Sequence, residues 1–196
     1  FYTRQRNGEK LSLDSDHAAD LFELTHYMTA TAGLPAYEIS NHGKSNAQCQ
    51  HNINYWQAGD WVGIGPGAHG RYTIAADNYK NLQRVGTTTC RSPARWLQSV
   101  KKTGNGIDTH TNNKAVAFAA EMIMMGLRLT TGVSLQKIET MCGPRDRWLD
   151  NSAVTQATKD GWLETNQHHT SGMVTDLRAT DAGRLRLNSI IAMILR

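Results

Sequence analysis

The sequence predicts an α/β protein in two parts: a mixed helix-and-strand portion over residues 1–108 and a small helical, winged-helix-like domain over residues 109–196. Three observations predict it. Apolar residues recur at helical spacing over 14–32, 92–102 and 114–129. Short β-rich runs bounded by Gly, Pro and Asn lie between the first two of these. The last stretch reads as three helices, a β-hairpin and a closing helix, the order of a winged-helix-like unit.

The elements follow in order. Asp14 or Ser15 can cap the first helix; Leu21, Phe22, Met28 and Ala32 repeat along it, and Gly33 ends it. After Pro35, Tyr37-Glu38-Ile39-Ser40 alternates like a short strand, and residues 41–48 are polar and loop-like. Residues 51–57 suit a short helix, and Ala58-Gly59-Asp60 a turn. Trp61-Val62-Gly63-Ile64 reads as a buried strand running into the glycine-rich loop 65–70. Residues 71–74 and 78–84 look like a polar β-excursion, and 92–102 like a helix with Trp96, Leu97 and Val100 on one side. The polar stretch 103–113, with Gly104 and Gly106, reads as a linker, and the domain boundary is placed there.

Beyond it, Ala115, Phe118, Ala119, Met122, Gly126 and Leu129 form one helical stripe. A short helix over 134–141 stops at Gly143-Pro144, and a third runs over 145–159 to Gly161. Residues 162–165 and 173–177 read as strands around a polar tip that holds His168 and His169. Thr180 caps the closing helix.

The chain has 196 residues, 39% hydrophobic and 19% charged, with mean hydropathy −0.50. That is a soluble globular profile with no internal repeat, and no apolar run approaches the ~20 residues of a membrane span. A net charge of +4 permits an anionic partner without demanding one. Cys49, Cys90 and Cys142 are scattered, with no closely spaced pair. This points to a reducing, cytoplasmic setting, and the chain by itself cannot hold a cluster that needs three or four thiolates. The first residue is Phe1, so a preceding segment is expected.

The densest chemistry is Cys49-Gln50-His51-Asn52-Ile53-Asn54-Tyr55-Trp56. On a helix His51 and Tyr55 share one face, and Asn52 and Trp56 another. A neutral imidazole beside broad aromatic surfaces suits axial ligation of haem iron. The plainer reading makes His51 and Asn52 loop ties and the aromatics core filling. Residues 65–70 match GxGxxG, but a strand-like segment follows instead of a helix, so a dinucleotide site is excluded. Gly65 and Gly67 then serve a tight loop that lets a ligand or another backbone come close, and His69 is its titratable group. Glu38 and Ser40 share a strand face that points either inward to a substrate or out to solvent. Met122, Met124 and Met125 read as core. Arg128 is expected to pair with a carboxylate or a backbone end.

Taken together, Tyr37-Glu38-Ile39-Ser40-Asn41, the His51–Trp56 word and Gly63 to Gly70, in this order, resemble the HemW branch of the radical S-adenosylmethionine proteins. These are haem chaperones similar to oxygen-independent coproporphyrinogen III oxidase. Glu121 to Leu129, Gly161 to Glu164, and Thr180 to Leu185 with Leu187 to Ile191 resemble the C-terminal domain that both share. The resemblance implies the C-terminal part of a partial (β/α) radical SAM barrel over 1–108, with the shared C-terminal domain over 109–196. It implies haem, a 4Fe-4S cluster and S-adenosylmethionine in the full-length protein, with the cluster motif CxxxCxxC absent from this chain. It maps a haem-binding element onto His51, Asn52, Tyr55 and Trp56, with His51 as the metal ligand, and places Glu38, Gly65, Gly67 and His69 beside the site.

The leading expectation is therefore a haem chaperone fragment that is not catalytic by itself. Its partners are haem or another tetrapyrrole, the N-terminal half of the barrel and acceptor haemoproteins, some of them in membranes; a homodimer stays open. The alternative is coproporphyrinogen III oxidation in porphyrin biosynthesis. A nucleic-acid partner is not expected, because Asp146, Asp150 and Asp160 interrupt the basic residues of the 145–159 segment. In the plainest reading the C-terminal domain only covers the mouth of the barrel.

Overall fold

A computed structural model describes residues 2–9, 11, 13–76, 81–167 and 173–196. They separate into two units, Phe1–Gln48 and Cys49–Arg196. In the first unit a short helix, α1 (Tyr2–Arg6), precedes α2 (Ser15–Thr31). Asp14 caps α2 by accepting from the His17 amide at 2.9 Å. Phe22, His26 and Thr29 lie on its inward stripe: the Phe22 and His26 rings are 4.1 Å apart, and Thr29 Oγ1 bonds His42 Nδ1 at 2.8 Å. Residues 37–40 do not form the expected strand. The segment folds back on itself, with an isolated bridge between Ala36 and His42 and the Tyr37 amide donating to Asn41 O at 3.1 Å; Glu38 is a further single bridge residue, not part of a strand. A strand needs a neighbour for its backbone groups, and here those groups pair within a tight reversal.

The second unit opens with α3 (Gln50–Trp56). It continues into an antiparallel sheet of β1 (His69–Ala76), β2 (Asn81–Thr89) and β3 (Ile107–Asn113), in that order, with α4 (Pro93–Thr103) between β2 and β3. The stretch expected to be a linker is thus in part an edge strand. Its polar sequence shows no apolar alternation, and pairing with β2 is what holds it extended. The run 61–64 is not a buried strand. Trp61 makes one bridge, to Arg71, while Val62 and Ile64 stand 78% and 85% exposed. Gly63 lies so close to the next strand that a Cβ there would sit 2.5 Å from His69 O, so only one side of the run is covered.

Helix α5 (Ala115–Gly126) buries Phe118, Ala119, Met122 and Ile123, as its stripe requires. Then come β4 (Val133–Ser134) and α6 (Leu135–Cys142), whose cap Ser134 accepts from the Lys137 amide at 3.4 Å. Residues 145–159 are not one helix. A 3-10 turn (Arg145–Arg147) gives way to buried Trp148 and Leu149, and Asp150 then starts α7 (Asn151–Lys159) by accepting from Ser152 N and Ala153 N. Trp148 Nε1 donates to Gly143 O at 3.1 Å, and Leu149 bridges Leu195, so buried packing overrides helix propensity here. The hairpin is β5 (Leu163–Gln167) and β6 (Val174–Ala179), and β4 completes a sheet of order β4-β6-β5. Thr180 caps α8 (Asp181–Arg184), and α9 (Leu187–Ile194) closes the unit. His168 and His169 lie outside the described residues.

The architecture is mixed α/β with two small antiparallel sheets. Among the described residues no strands pair in parallel and no barrel closes. No helix there is long and apolar enough to cross a membrane.

Arg84 on β2 fixes how α3 meets the first sheet. Its side chain is fully buried. Nη1 donates to Asp60 Oδ1 at 2.5 Å and Thr73 Oγ1 at 3.1 Å, and Nη2 to Gly59 O at 2.7 Å. Its guanidinium lies 5.5 Å from the Trp61 ring centroid and 5.2 Å from that of Phe118. Replacing Arg84 by Met should lower the unfolding free energy by about 2 kcal/mol, since Gly59 O and Thr73 Oγ1 lose their donor while the Asp60 carboxylate left behind is half-exposed. Asp60→Asn should cost about 3 kcal/mol, because it leaves the fully buried guanidinium without its counter-ion. Urea unfolding of both variants checks this; negligible losses in both would refute the organising role of Arg84.

Candidate functional site

Helix α3 ends at Trp56, and Ala58 leaves it with φ 52°, a left-handed exit that turns the chain toward Asp60. Asn54 secures this turn. Its amide donates to Asp60 O at 3.0 Å, and its backbone carbonyl accepts from the Gly59 amide at 2.8 Å. Sequence reasoning passed over Asn54; the signal was a side-chain amide five residues before a Gly-Asp turn.

The four residues of the His51–Trp56 word divide between two flanks of α3. His51 is exposed, its ring set edge-on to Tyr55 at 4.7 Å and 71°. Tyr55 in turn lies against Trp61 at 4.2 Å. On the other flank, with half-buried Asn52, Trp56 carries Arg128 over its ring at 5.7 Å, and its Nε1 is buried with no hydrogen-bond partner among the described residues. Arg128 also donates to Met124 O at the end of α5 and to Asn188 Oδ1 at 3.3 Å. Of its expected partners it finds the backbone end; among the described residues no carboxylate pairs with it.

The glycine loop is bound mainly to its own sheet. Gly65 and Gly67 take φ of +101° and +71°, which side chains rarely adopt. Thr89 Oγ1 donates to Gly65 O at 2.5 Å and accepts from the Ala68 amide at 2.8 Å, while the Gly67 amide donates to Cys90 O at 2.9 Å. His69 is exposed; its Nδ1 lies 3.3 Å from Thr88 Oγ1, and its carbonyl accepts from Trp61 Nε1 at 3.2 Å. In the first unit Glu38 is fully buried. Its carboxylate accepts from the Ser40 amide at 3.1 Å and from Ser40 Oγ at 3.2 Å, so these two side groups satisfy one another locally. Of the methionines, Met122 is buried, whereas Met124 is 40% exposed.

A cavity of about 240 Å³ lies beside Trp56. Met122, Gly126 and Leu129 line it from α5 and the turn that follows, Val133 and Ser134 from β4, and Lys137 from α6. It lies close to the expected site, yet nothing local in the sequence marks it, because its walls come from two stretches far apart in sequence, 56–57 and 122–137. Among the described residues no group of three or more His, Cys, Asp or Glu side chains could hold a metal ion. Cys49 is exposed and Cys90 and Cys142 are buried, so these thiols do not fit a cluster; burial pushes the Cys142 thiol up to about 11. Elsewhere Arg145 donates to Glu139 through Nε at 3.0 Å and Nη2 at 2.6 Å, and holds that carboxyl below the usual range.

Comparison with known proteins defines the class. Residues 117–186 match the family model of the HemN C-terminal domain. The fold is similar to that of coproporphyrinogen III oxidase (HemN) from Escherichia coli, a radical SAM enzyme, with TM-score 0.60 and 12% identity over 89% of this chain and 40% of that one. Heme chaperone HemW of Escherichia coli is 29% identical over 182 residues, covering 93% of this chain and 43% of the relative. The mitochondrial radical S-adenosyl methionine domain-containing protein 1 of Danio rerio is 31% identical over 137 residues, 69% of this chain and 30% of its own length. HemW of Mycobacterium tuberculosis is 43% identical over 67 residues, 34% of this chain and 17% of the relative. The chain carries a HemN C-terminal domain, and with the segment before it matches HemW and other radical SAM relatives. It spans less than half the length of these relatives.

The Glu139–Arg145 pair has a pH signature. Its folded carboxyl pKa is depressed, so its stabilisation is present above the unfolded carboxylate value and is lost as pH falls through the folded one. Glu139→Gln should therefore flatten the acid limb of a stability-against-pH curve and leave the alkaline limb unchanged. A parallel acid limb in the variant would refute the assignment.

Proposed function

We propose that this chain is the tetrapyrrole-facing part of a HemW-type radical SAM protein. In this reading residues 1–108 belong to the C-terminal portion of a partial (β/α) barrel, and residues 109–196 form the domain that packs over it. The observation that supports it best is likeness to a haem chaperone along 93% of the chain, across both the His51–Trp56 word and the HemN C-terminal domain. S-adenosylmethionine and the 4Fe-4S cluster would be held by a barrel half that carries the cluster thiolates, since the three cysteines here do not supply them. The scattered cysteines, none of them in a disulfide among the described residues, support a reducing, cytoplasmic setting.

Haem delivery is the first reading. Haem would lie on the surface of α3, with the exposed His51 imidazole toward the iron and Tyr55 supporting the imidazole ring. Gly65, Gly67 and His69 would belong to its surroundings. Oxidative decarboxylation of coproporphyrinogen III is the second. The domain model over 117–186 and the likeness to a solved structure both lead to the oxidase, and they carry that reading further than the geometry around His51 carries the first. Either way the ligand is a tetrapyrrole.

Hemin titration separates the two. His51→Ala should abolish the Soret shift seen with the wild-type chain, with little change in stability because His51 is exposed. An unchanged Soret band in the variant removes His51 from the ligand set. Vinyl product formed from coproporphyrinogen III by the intact radical SAM protein would decide for the oxidase.

A further inference from the structure

The cavity beside Trp56 has a composition that selects a ligand. Trp56, Met122, Leu129 and Val133 give it aromatic and aliphatic walls, and Lys137 supplies its charge. No Asp or Glu is among the residues lining it. The Lys137 ammonium has no carboxylate within 4.0 Å among the described residues, unlike Arg71, Arg84, Arg145 and Arg178, which each have one. Arg128, above the Trp56 ring, adds a second positive charge nearby. A site that sets apolar walls and the polar groups of Gln57, Thr131 and Ser134 around one cation is matched by an organic anion whose carbon chain lies on the apolar walls and whose charge meets the cation.

Size narrows the class. About 240 Å³ has room for a side arm or a single small ring and is too little for a four-pyrrole macrocycle. Within the lining a single ammonium stands beside an indole, the Arg128 guanidinium being engaged by Met124 O and Asn188 Oδ1, and this suits a carboxylate monoanion; phosphate recognition characteristically gathers several donors. We infer that this cavity receives the carboxylate-bearing arm of a larger ligand, with Lys137 pairing the carboxylate and Trp56, Met122 and Leu129 covering the carbon chain. Assigning that arm to a tetrapyrrole rests on the function proposed above; the carboxylate site itself does not.

The probe is 3-phenylpropionate, with the neutral 3-phenylpropionamide as control. Binding is followed through the Trp56 indole N–H resonance, assigned with Trp56→Phe. The acid should shift that resonance and bind at least tenfold more tightly than the amide, and Lys137→Gln should remove this preference. Lys137 is exposed, and it is its backbone amide that bonds Ser134, so the variant keeps the fold. An unchanged amide resonance spectrum away from the cavity verifies this. Equal affinity of acid and amide, retained preference in Lys137→Gln, or shifts confined to other tryptophans would each overturn the proposal. Acid binding that hemin does not compete away would uphold the carboxylate site and count against the tetrapyrrole assignment alone.

Discussion

The guanidinium of Arg84 is withdrawn from water, and three other segments are built around it. It takes the carboxylate of Asp60 and the carbonyl of Gly59 from the turn after α3, the hydroxyl of Thr73 from β1, and the ring of Phe118 from α5. A buried cation is costly unless it is bonded; both terminal nitrogens are engaged here while Nε has no partner among the described residues, so the groups around Nη1 and Nη2 are constrained in position by the cost of leaving the charge unpaired. Asp60 extends the constraint by accepting from the Thr73 amide and hydroxyl, both at 3.0 Å. The consequence is that α3, which carries the His51–Trp56 word, cannot shift relative to the first sheet without breaking this set.

From that anchor the site divides by solvent access. His51 and Tyr55 lie on an outer flank, open to a ligand too large to enter the protein. Trp56 is on the inner flank, where Arg128 covers one ring face and the cavity reaches toward Lys137. One short helix thus offers a surface suited to a flat macrocycle and an entrance suited to a charged arm. The glycine loop contributes shape through its left-handed residues, while Thr89 and Cys90 occupy much of its hydrogen-bonding capacity.

Legibility in the sequence followed the range of the forces involved. The Asp14 and Thr180 caps, the α5 stripe and the β5–β6 hairpin were readable because each is decided within a few residues. The strand expected over 61–64, the linker over 103–113 and the single helix over 145–159 failed for a shared reason. In each, a partner distant in sequence decides the conformation: Arg71 for Trp61, β2 for β3, and Leu195 for Leu149. At the site, His51, Asn52, Tyr55 and Trp56 stood out as a word of unusual residue types. Asn54, Arg128 and Lys137 did not, since an amide, a guanidinium and an ammonium are commonplace until their surroundings are known.

By itself the sequence determined where most helices begin and end, that a hairpin lies between α7 and α8, and which residues form the recognisable motif. Capping, periodicity and turn chemistry act between neighbours along the chain, so they are written locally. Only the tertiary structure decided that Arg84 is buried while Val62 and Ile64 are exposed, that the polar stretch after α4 joins a sheet, and that two stretches far apart in sequence enclose a cavity lined by the Lys137 ammonium. Burial and desolvation depend on partners brought together across many residues, and no local pattern records them.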